Sequence, residues 1–334
     1  MTLVFAQKKK TIISAVSDTG ITEHGAQLQP EKNIPKICIL TPDLAVGFAG
    51  SSELALRCFA GFDRMALTMP TQIIGHFLRF HIKYEQSVDF IVMIRNPVLR
   101  MVKIADGKEH SSHSHTAWIG DHDGFEQFQR YRNDQESRRI TSELEVPLML
   151  TNNESELSPE SVTFNLIAAM RYVIIDPNLP HVFGHAVGMS NAGGGFEYRS
   201  YAFVLDERKL SLALPNTFMQ RIDPELQELR EYSASCFVTT AASPRQGIAF
   251  HFLRGKLTYI YFGDRGAPLS ECRIARSMNA EEFMAMMQAE GCTDWSGQIA
   301  SRLPPPQGYG IDPNRWTRTD RGEIVKPAGV RLKP

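Results

Sequence analysis

The chain has little of what marks a secreted, membrane-spanning or nucleic-acid-binding protein. Only five of its 334 residues are cysteine, an odd number, and Cys38, Cys58, Cys236, Cys272 and Cys292 form no C-x-x-C pair. A disulfide framework and a zinc ribbon are therefore not expected, and a reduced, cytoplasmic setting is the default. No apolar run reaches the ~18 residues of a membrane helix, and the opening residues are strand-like and then charged, unlike a signal peptide. Charge of one sign is just as scarce. The formal net charge is −1 and the like-charged run Lys8-Lys9-Lys10 stands between two strand-like segments, which reads as a hairpin turn and leaves no footprint for nucleic acid.

What is present suits a globular protein with a real core: 43% of residues are hydrophobic and 22% charged. The length suits one large domain with an appendage, or two domains. Strand-like alternation covers residues 2–7 and 11–16, and a further strand runs from Lys36 to Ala49-Gly50. Helical spacing follows in 51–67, with Ser51-Ser52 as N-cap, and in 71–84, where Ile73, Ile74, Phe77, Leu78 and Ile82 recur. Residues 89–94 and 98–104 alternate again between turn residues, and 116–120 is a short apolar strand before a helix carrying Phe125, Phe128 and Tyr131. Residues 133–160 read as a polar insertion around 146–150, and 159–174 as a helix. The segments 181–190 and 196–205 read as a strand pair around a glycine turn. Beyond them, 224–234 and 280–289 look helical, with strands at 236–240, 247–253 and 257–262, and the proline-bearing tail looks extended.

The chemistry that stands out lies in the first fifty residues. If the initiator methionine is removed, Thr2 carries both a hydroxyl and a free α-amine. A threonine hydroxyl is a weak nucleophile until a base takes its proton, and its own amine, with an ordinary pKa of ~7.7–8.0, can serve. Read singly, the residues nearby are unremarkable: Asp18 before Thr19-Gly20 is what a turn looks like, and Lys36 after Pro35 is what a strand start looks like. Thr2 itself is an ordinary strand residue if Met1 stays.

Taken in order, Thr2, Asp18, Lys36 and Ala49-Gly50 resemble the β-type subunits of proteasomes and related bacterial N-terminal-threonine peptidases, with a short insertion between Asp18 and Lys36. Thr22 also falls where that family has a threonine. The resemblance covers residues 1–205, specific at the start and topological afterwards. It implies an α+β fold, a four-layer αββα sandwich, with 206–295 as a C-terminal extension of α/β or α+β type and 296–334 as an extended tail. It implies Thr2 as nucleophile, Lys36 stabilising negative charge, Asp18 pairing with Lys36, and the Gly50 N–H facing the oxyanion. The implied partners are a peptide or protein substrate and other copies of the chain in a ring, with an ATPase partner left unspecified.

The chain departs from the family at two supporting positions. A Gly-Ser-Gly turn is replaced by Gly120-Asp121-His122-Asp123-Gly124, leaving Asp121, His122 or Asp123 as alternative polar support. Asp176 and Gly184 align with a later family segment, but Val182 stands where a serine belongs. No cofactor or metal is expected: His110, His113 and His115 have no carboxylate or cysteine at matching spacing, and the glycines of 191–195 lack the lysine and helix of a phosphate loop. Two functions stay open, a threonine-type amide hydrolase and a proteasome-like scaffold acting in assembly or binding.

Overall fold

The computed structural model describes residues 2–23, 26–27, 32–62, 69–111, 115–133, 145–149, 159–176, 178–191, 194–205, 235–241, 245–252, 257–264, 266–276, 280–292, 295–296, 318–319 and 322–323. Strands β1 (Leu3–Lys9) and β2 (Ile12–Ser17) form a hairpin that turns at Lys10, whose φ is 54°. Strands β3 (Ile37–Thr41) and β4 (Leu44–Gly50) follow, then helices α1 (Ser52–Ala60) and α2 (Pro70–Lys83). A meander of β5 (Val88–Ile94), β6 (Arg100–Ala105) and β7 (Lys108–Ser111) leads to β8 (Thr116–Gly120) and helix α3 (His122–Asn133). Next come β9 (Glu145–Met149), helix α4 (Pro159–Ile175), β10 (Val187–Ser190), β11 (Glu197–Tyr198) and β12 (Tyr201–Leu205). The last third holds β13 (Ser235–Ala241), β14 (Arg245–Phe252), β15 (Leu257–Asp264), β16 (Glu271–Arg276) and helix α5 (Ala280–Ala289).

These strands build three larger sheets. The first has the order β8-β1-β2-β10-β11, the second β3-β4-β5-β6-β7, and the third β9-β12-β13-β14-β15-β16. Pairing among the described residues is antiparallel throughout, which with the helices makes the chain α+β, and the third sheet is likewise antiparallel rather than of the alternating α/β kind.

Burial explains why the first hairpin reads as a continuous apolar run instead of a strict alternation. Leu3 to Ala6 and Ile13 to Val16 are all buried, because both faces of the sheet are covered. Helices α3 and α4 pack on β1 and β2, and the second sheet packs against β1, β2 and β8. The layers meet at glycines. A Cβ on Gly47 would stand 2.8 Å from Val4 Cγ1 of the first sheet, and one on Gly188 would stand 2.4 Å from Ile167 Cδ1 of α4. A second core lies where α1 and α2 cover the second sheet, built on Phe48, Phe59, Phe77 and Phe90.

Local pattern and structure differ at several places. Ile82 is 54% exposed, and His81 takes the buried place beside it: Val88 O lies 2.7 Å from its Nδ1, and Gly107 N donates to its Nε2 at 3.0 Å. The hairpin expected from 181–205 is only partly formed. Val187–Ser190 pairs with Glu197–Tyr198, while Tyr201–Leu205 enters the third sheet beside β13 and beside β9 from the polar insertion. The Tyr201 hydroxyl, donating to Ala186 O at 2.7 Å, ties that departure point down. The expected helix at 224–234 lies outside the described residues, as do His113 and most of the tail. No helix among the described residues is long and apolar enough to cross a membrane.

Candidate active site

Thr2 precedes β1 and is 5% exposed. The hairpin register, Val4 opposite Ser17, carries the chain past β2 so that residue 18 returns beside the start of β1. There the Thr2 Oγ1 hydroxyl donates to Asp18 Oδ1, and Leu3 N donates to the same oxygen at 2.9 Å. On the other flank, β8 pairs Gly120 with Leu3, and Asp121 N donates to Thr2 O at 2.7 Å. Gly120 has φ 102°, and a Cβ there would fall 1.9 Å from Thr2 O, so a residue without a side chain is required at this approach.

The second sheet contributes Lys36 and Gly50. Lys36 is 3% exposed, held where Phe48 N donates to its carbonyl at 2.9 Å, with its Nζ 5.7 Å from the centre of the Phe48 ring. Gly50 ends β4 at φ 102°, and its hypothetical Cβ would lie 2.4 Å from Ser87 O. The next residue turns the chain into α1: Ser51 N donates to Ser87 O at 3.0 Å, and Ser51 Oγ accepts from Leu54 N at 3.3 Å as the N-cap. Thr2, Lys36, Gly50 and Gly120 open onto one cleft of about 630 Å³, whose walls also include Gly20, Thr22, Glu53 and Asp89.

The electrostatics of this cleft are set by burial. Burial raises Asp18 from 3.8 to about 6, against the opposing pull of Lys36 and the hydrogen bonds from Thr2 and Leu3. Burial likewise lowers Lys36 from 10.5 to about 8, opposed by Asp18 and Cys38. Desolvation thus outweighs the attraction between the two groups, and both change protonation near neutrality. Asp18 Oδ2 and Ser17 Oγ are buried without a hydrogen-bond partner among the described residues. The arrangement offers a hydroxyl already donating to a carboxylate, a desolvated ammonium sharing its cleft, and the backbone of a glycine strand end in the cleft wall.

The four supporting candidates separate. Asp121 touches Thr2 through its backbone, while its Oδ1 accepts from Gly124 N at 2.7 Å and caps α3. His122 is 67% exposed beside Asp123 and Glu126, and Asp123 is also exposed. Asp176 sits past the end of α4, where its carboxylate accepts from Asn178 N at 2.9 Å and from the Tyr131 hydroxyl at 3.2 Å. None of the four is among the cleft-lining residues. Val182 is fully buried against the α3 start, where a Cβ on Gly124 would come within 2.9 Å of its Cγ2.

The sequence marks Gly120 only as a strand end and the start of the substituted turn, and Asp89 only as part of a plain alternation, so neither stands out there as a cleft residue. It also gave no sign that the last third approaches the site. Tyr261 of β15 donates to Thr19 Oγ1 at 3.3 Å, one residue past Asp18.

Among the described residues, no group of three His, Cys, Asp or Glu side chains is arranged to hold a metal ion. No family model and no curated protein matches the chain. Among solved structures, the chain is similar to the eukaryotic HslV of Trypanosoma brucei, with 15% identity over 57% of this chain and 98% of that one and a TM-score of 0.36.

Proposed function

We propose that the protein is an amide hydrolase that uses Thr2 as its nucleophile, acting on peptide bonds once Met1 has been removed. The observation that carries this reading is the placement of a buried Thr2 hydroxyl, donating to Asp18, in one cleft with Lys36 and Gly50. In this reading the hydroxyl attacks the amide carbon, and the Thr2 proton passes to the α-amine that loss of Met1 frees. Lys36 stabilises the negative charge that develops, and the Gly50 N–H faces the oxyanion. The proton then goes to the leaving amine, and water hydrolyses the resulting ester to restore Thr2. No metal or cofactor is needed for these steps. The same reading takes residues 1–205, apart from β9 and β12 in the third sheet, as a four-layer αββα domain, the first two sheets inside and α1 to α4 outside, and takes the working form as a cytoplasmic ring of copies.

One observation favours a second reading, a proteasome-like scaffold with weak or no catalysis. The Asp121 carboxylate is occupied in capping α3 and Val182 is a buried hydrocarbon, so neither supplies the hydroxyl support that the resemblance implies there. The two readings separate on a single experiment. The protein is expressed, loss of Met1 is checked by intact mass, and the product is treated with a peptide vinyl sulfone that alkylates nucleophilic threonine hydroxyls. Labelling at Thr2 that Thr2→Ala abolishes and Lys36→Ala suppresses is the expected result. A fully processed protein that takes no label and cleaves no peptide pool leaves only the scaffold.

A further inference from the structure

We infer that the third sheet is a working part of the Thr2 site, and that Tyr261 is a positioning residue that holds the Asp18–Gly20 segment through the Thr19 hydroxyl. The inference rests on the hydrolase reading for its kinetic consequence, but its physical content is independent of activity.

The segment that follows β2 has to do two things. It presents Asp18 to Thr2, and two residues later its Gly20 backbone forms the cleft wall. Gly20 has no side chain of its own to anchor it, and a Cβ there would meet the Phe183 ring at 2.6 Å. Its position is therefore decided by its neighbours. Gly20 N donates to Phe183 O at 2.9 Å, Ile34 N donates to Thr19 O at 3.0 Å, and Ile21 N donates to Asn33 Oδ1 at 3.2 Å.

Thr19 is the side-chain anchor of this stretch, and it is fully buried. Its Oγ1 accepts from His185 N at 2.9 Å and from the Tyr261 hydroxyl at 3.3 Å, which uses the acceptor capacity of a hydroxyl oxygen. Tyr261 is a rigid donor. It stands in β15, hydrogen-bonded on both sides to β14 and β16, and its ring is fully buried, edge-on to Phe250 at 5.8 Å. The same sheet grips the other donor to Thr19, because Phe250 stacks on the His185 ring at 4.4 Å and Tyr259 lies 4.6 Å from it.

The link carries no charge near neutral pH. His185 is lowered to about 3, first by burial and then by Arg171, so its ring stays neutral across the range where Asp18 and Lys36 titrate. What the third sheet supplies is thus position rather than field. A carboxylate held a fraction of an ångström off its partner loses much of its effect on the reacting hydroxyl.

The test compares Tyr261→Phe, Thr19→Val and Thr19→Ser with the wild type in the full chain, by hydrogen exchange and by vinyl sulfone labelling of Thr2. Tyr261→Phe keeps the ring and removes only the donor. It is expected to speed amide exchange in 18–22 and to lower the maximal labelling rate about 10-fold, with the half-saturating probe concentration within about twofold. Thr19→Ser, which keeps the hydroxyl, is expected to label at close to the wild-type rate. Combining Tyr261→Phe with Thr19→Val should cost little beyond Thr19→Val alone, since Thr19→Val already removes the Tyr261 contact along with the one from His185 N. Wild-type exchange in 18–22 of Tyr261→Phe overturns the link whatever the activity. Faster exchange with an unchanged labelling rate overturns the positioning role. A wild type that takes no label overturns the hydrolase reading and the positioning role together, and the exchange result separates that failure from a failure of the contact itself.

Discussion

Gly120 approaches the Thr2 carbonyl so closely that a side chain at 120 would stand 1.9 Å from that oxygen. With φ at 102°, the position is also one that L side chains rarely adopt. Gly120→Ala is expected to push the β8 end away from Thr2 and to cost about 3 kcal/mol of stability, the upper range for a strained backbone position. Urea unfolding of the purified variant measures this. A variant as stable as the wild type would mean that the two strand ends separate easily.

Asp18 and Lys36, two buried charges of opposite sign, make stability depend on pH in two windows. The folded protein holds the Asp18 proton up to about 6 and the unfolded chain only to 3.8, so this group's contribution is most favourable in acid and is lost as pH rises through that interval. The loss amounts to about 3 kcal/mol. Lys36 acts in the opposite sense. Folded Lys36 gives up its proton at about 8 against 10.5, so the cost of burying its charge is relieved as pH climbs between those values. The pair is therefore expected to weigh most heavily on the fold between pH 6 and 8. Asp18→Asn should flatten the acid slope and move the alkaline one to lower pH, because Lys36 loses its attraction. Unfolding free energies across the pH range test both slopes.

Lys36→Met removes the ammonium and keeps the bulk. Without Lys36 the Asp18 carboxyl loses its main charge support, so its folded pKa should climb above about 6 and the acid slope should extend past neutrality. Relative to the wild type, the variant is expected to lose stability as pH rises from 6 through neutrality, where Asp18 must stay protonated without its charge support, and to lose none in acid, where Asp18 is neutral in both and the buried ammonium is gone. Vinyl sulfone labelling of Thr2 should fall about 100-fold as the charge stabiliser disappears. Equal loss of stability at both pH values would argue for a packing defect instead.

His81 joins α2 to the second sheet near the cleft. Gly107 N donates to its Nε2, so the neutral ring carries its proton on Nδ1, facing Val88 O at 2.7 Å. His81→Leu would bury both backbone groups without partners, at an expected cost of about 3 kcal/mol. Hydrogen exchange should localise the loosening to the α2–β5 junction and the β6–β7 turn. Global loosening with those two places unchanged would count against it.

The elements themselves were largely legible, because helices and strands are dictated by neighbours in sequence. The lysine turn at Lys10, the glycine strand ends and the apolar spacing of 159–174 are local signals, and the structure places a hairpin, strand ends and a helix there. The order of Thr2, Asp18, Lys36 and Gly50 is also a property of the chain alone. Distances among them are not. Asp18 reaches Thr2 through a hairpin register, Gly120 through the pairing of β8 with β1, and Lys36 and Gly50 through the stacking of one sheet on another. Residues as far apart as Thr19 and Tyr261 meet only because the third sheet packs where it does, 242 positions along the chain. Pairing register and sheet stacking are settled by long-range burial, which leaves no periodic mark in the sequence. The protonation of Asp18 and Lys36 is decided at the same level, since desolvation belongs to the folded interior and not to the residues that fill it.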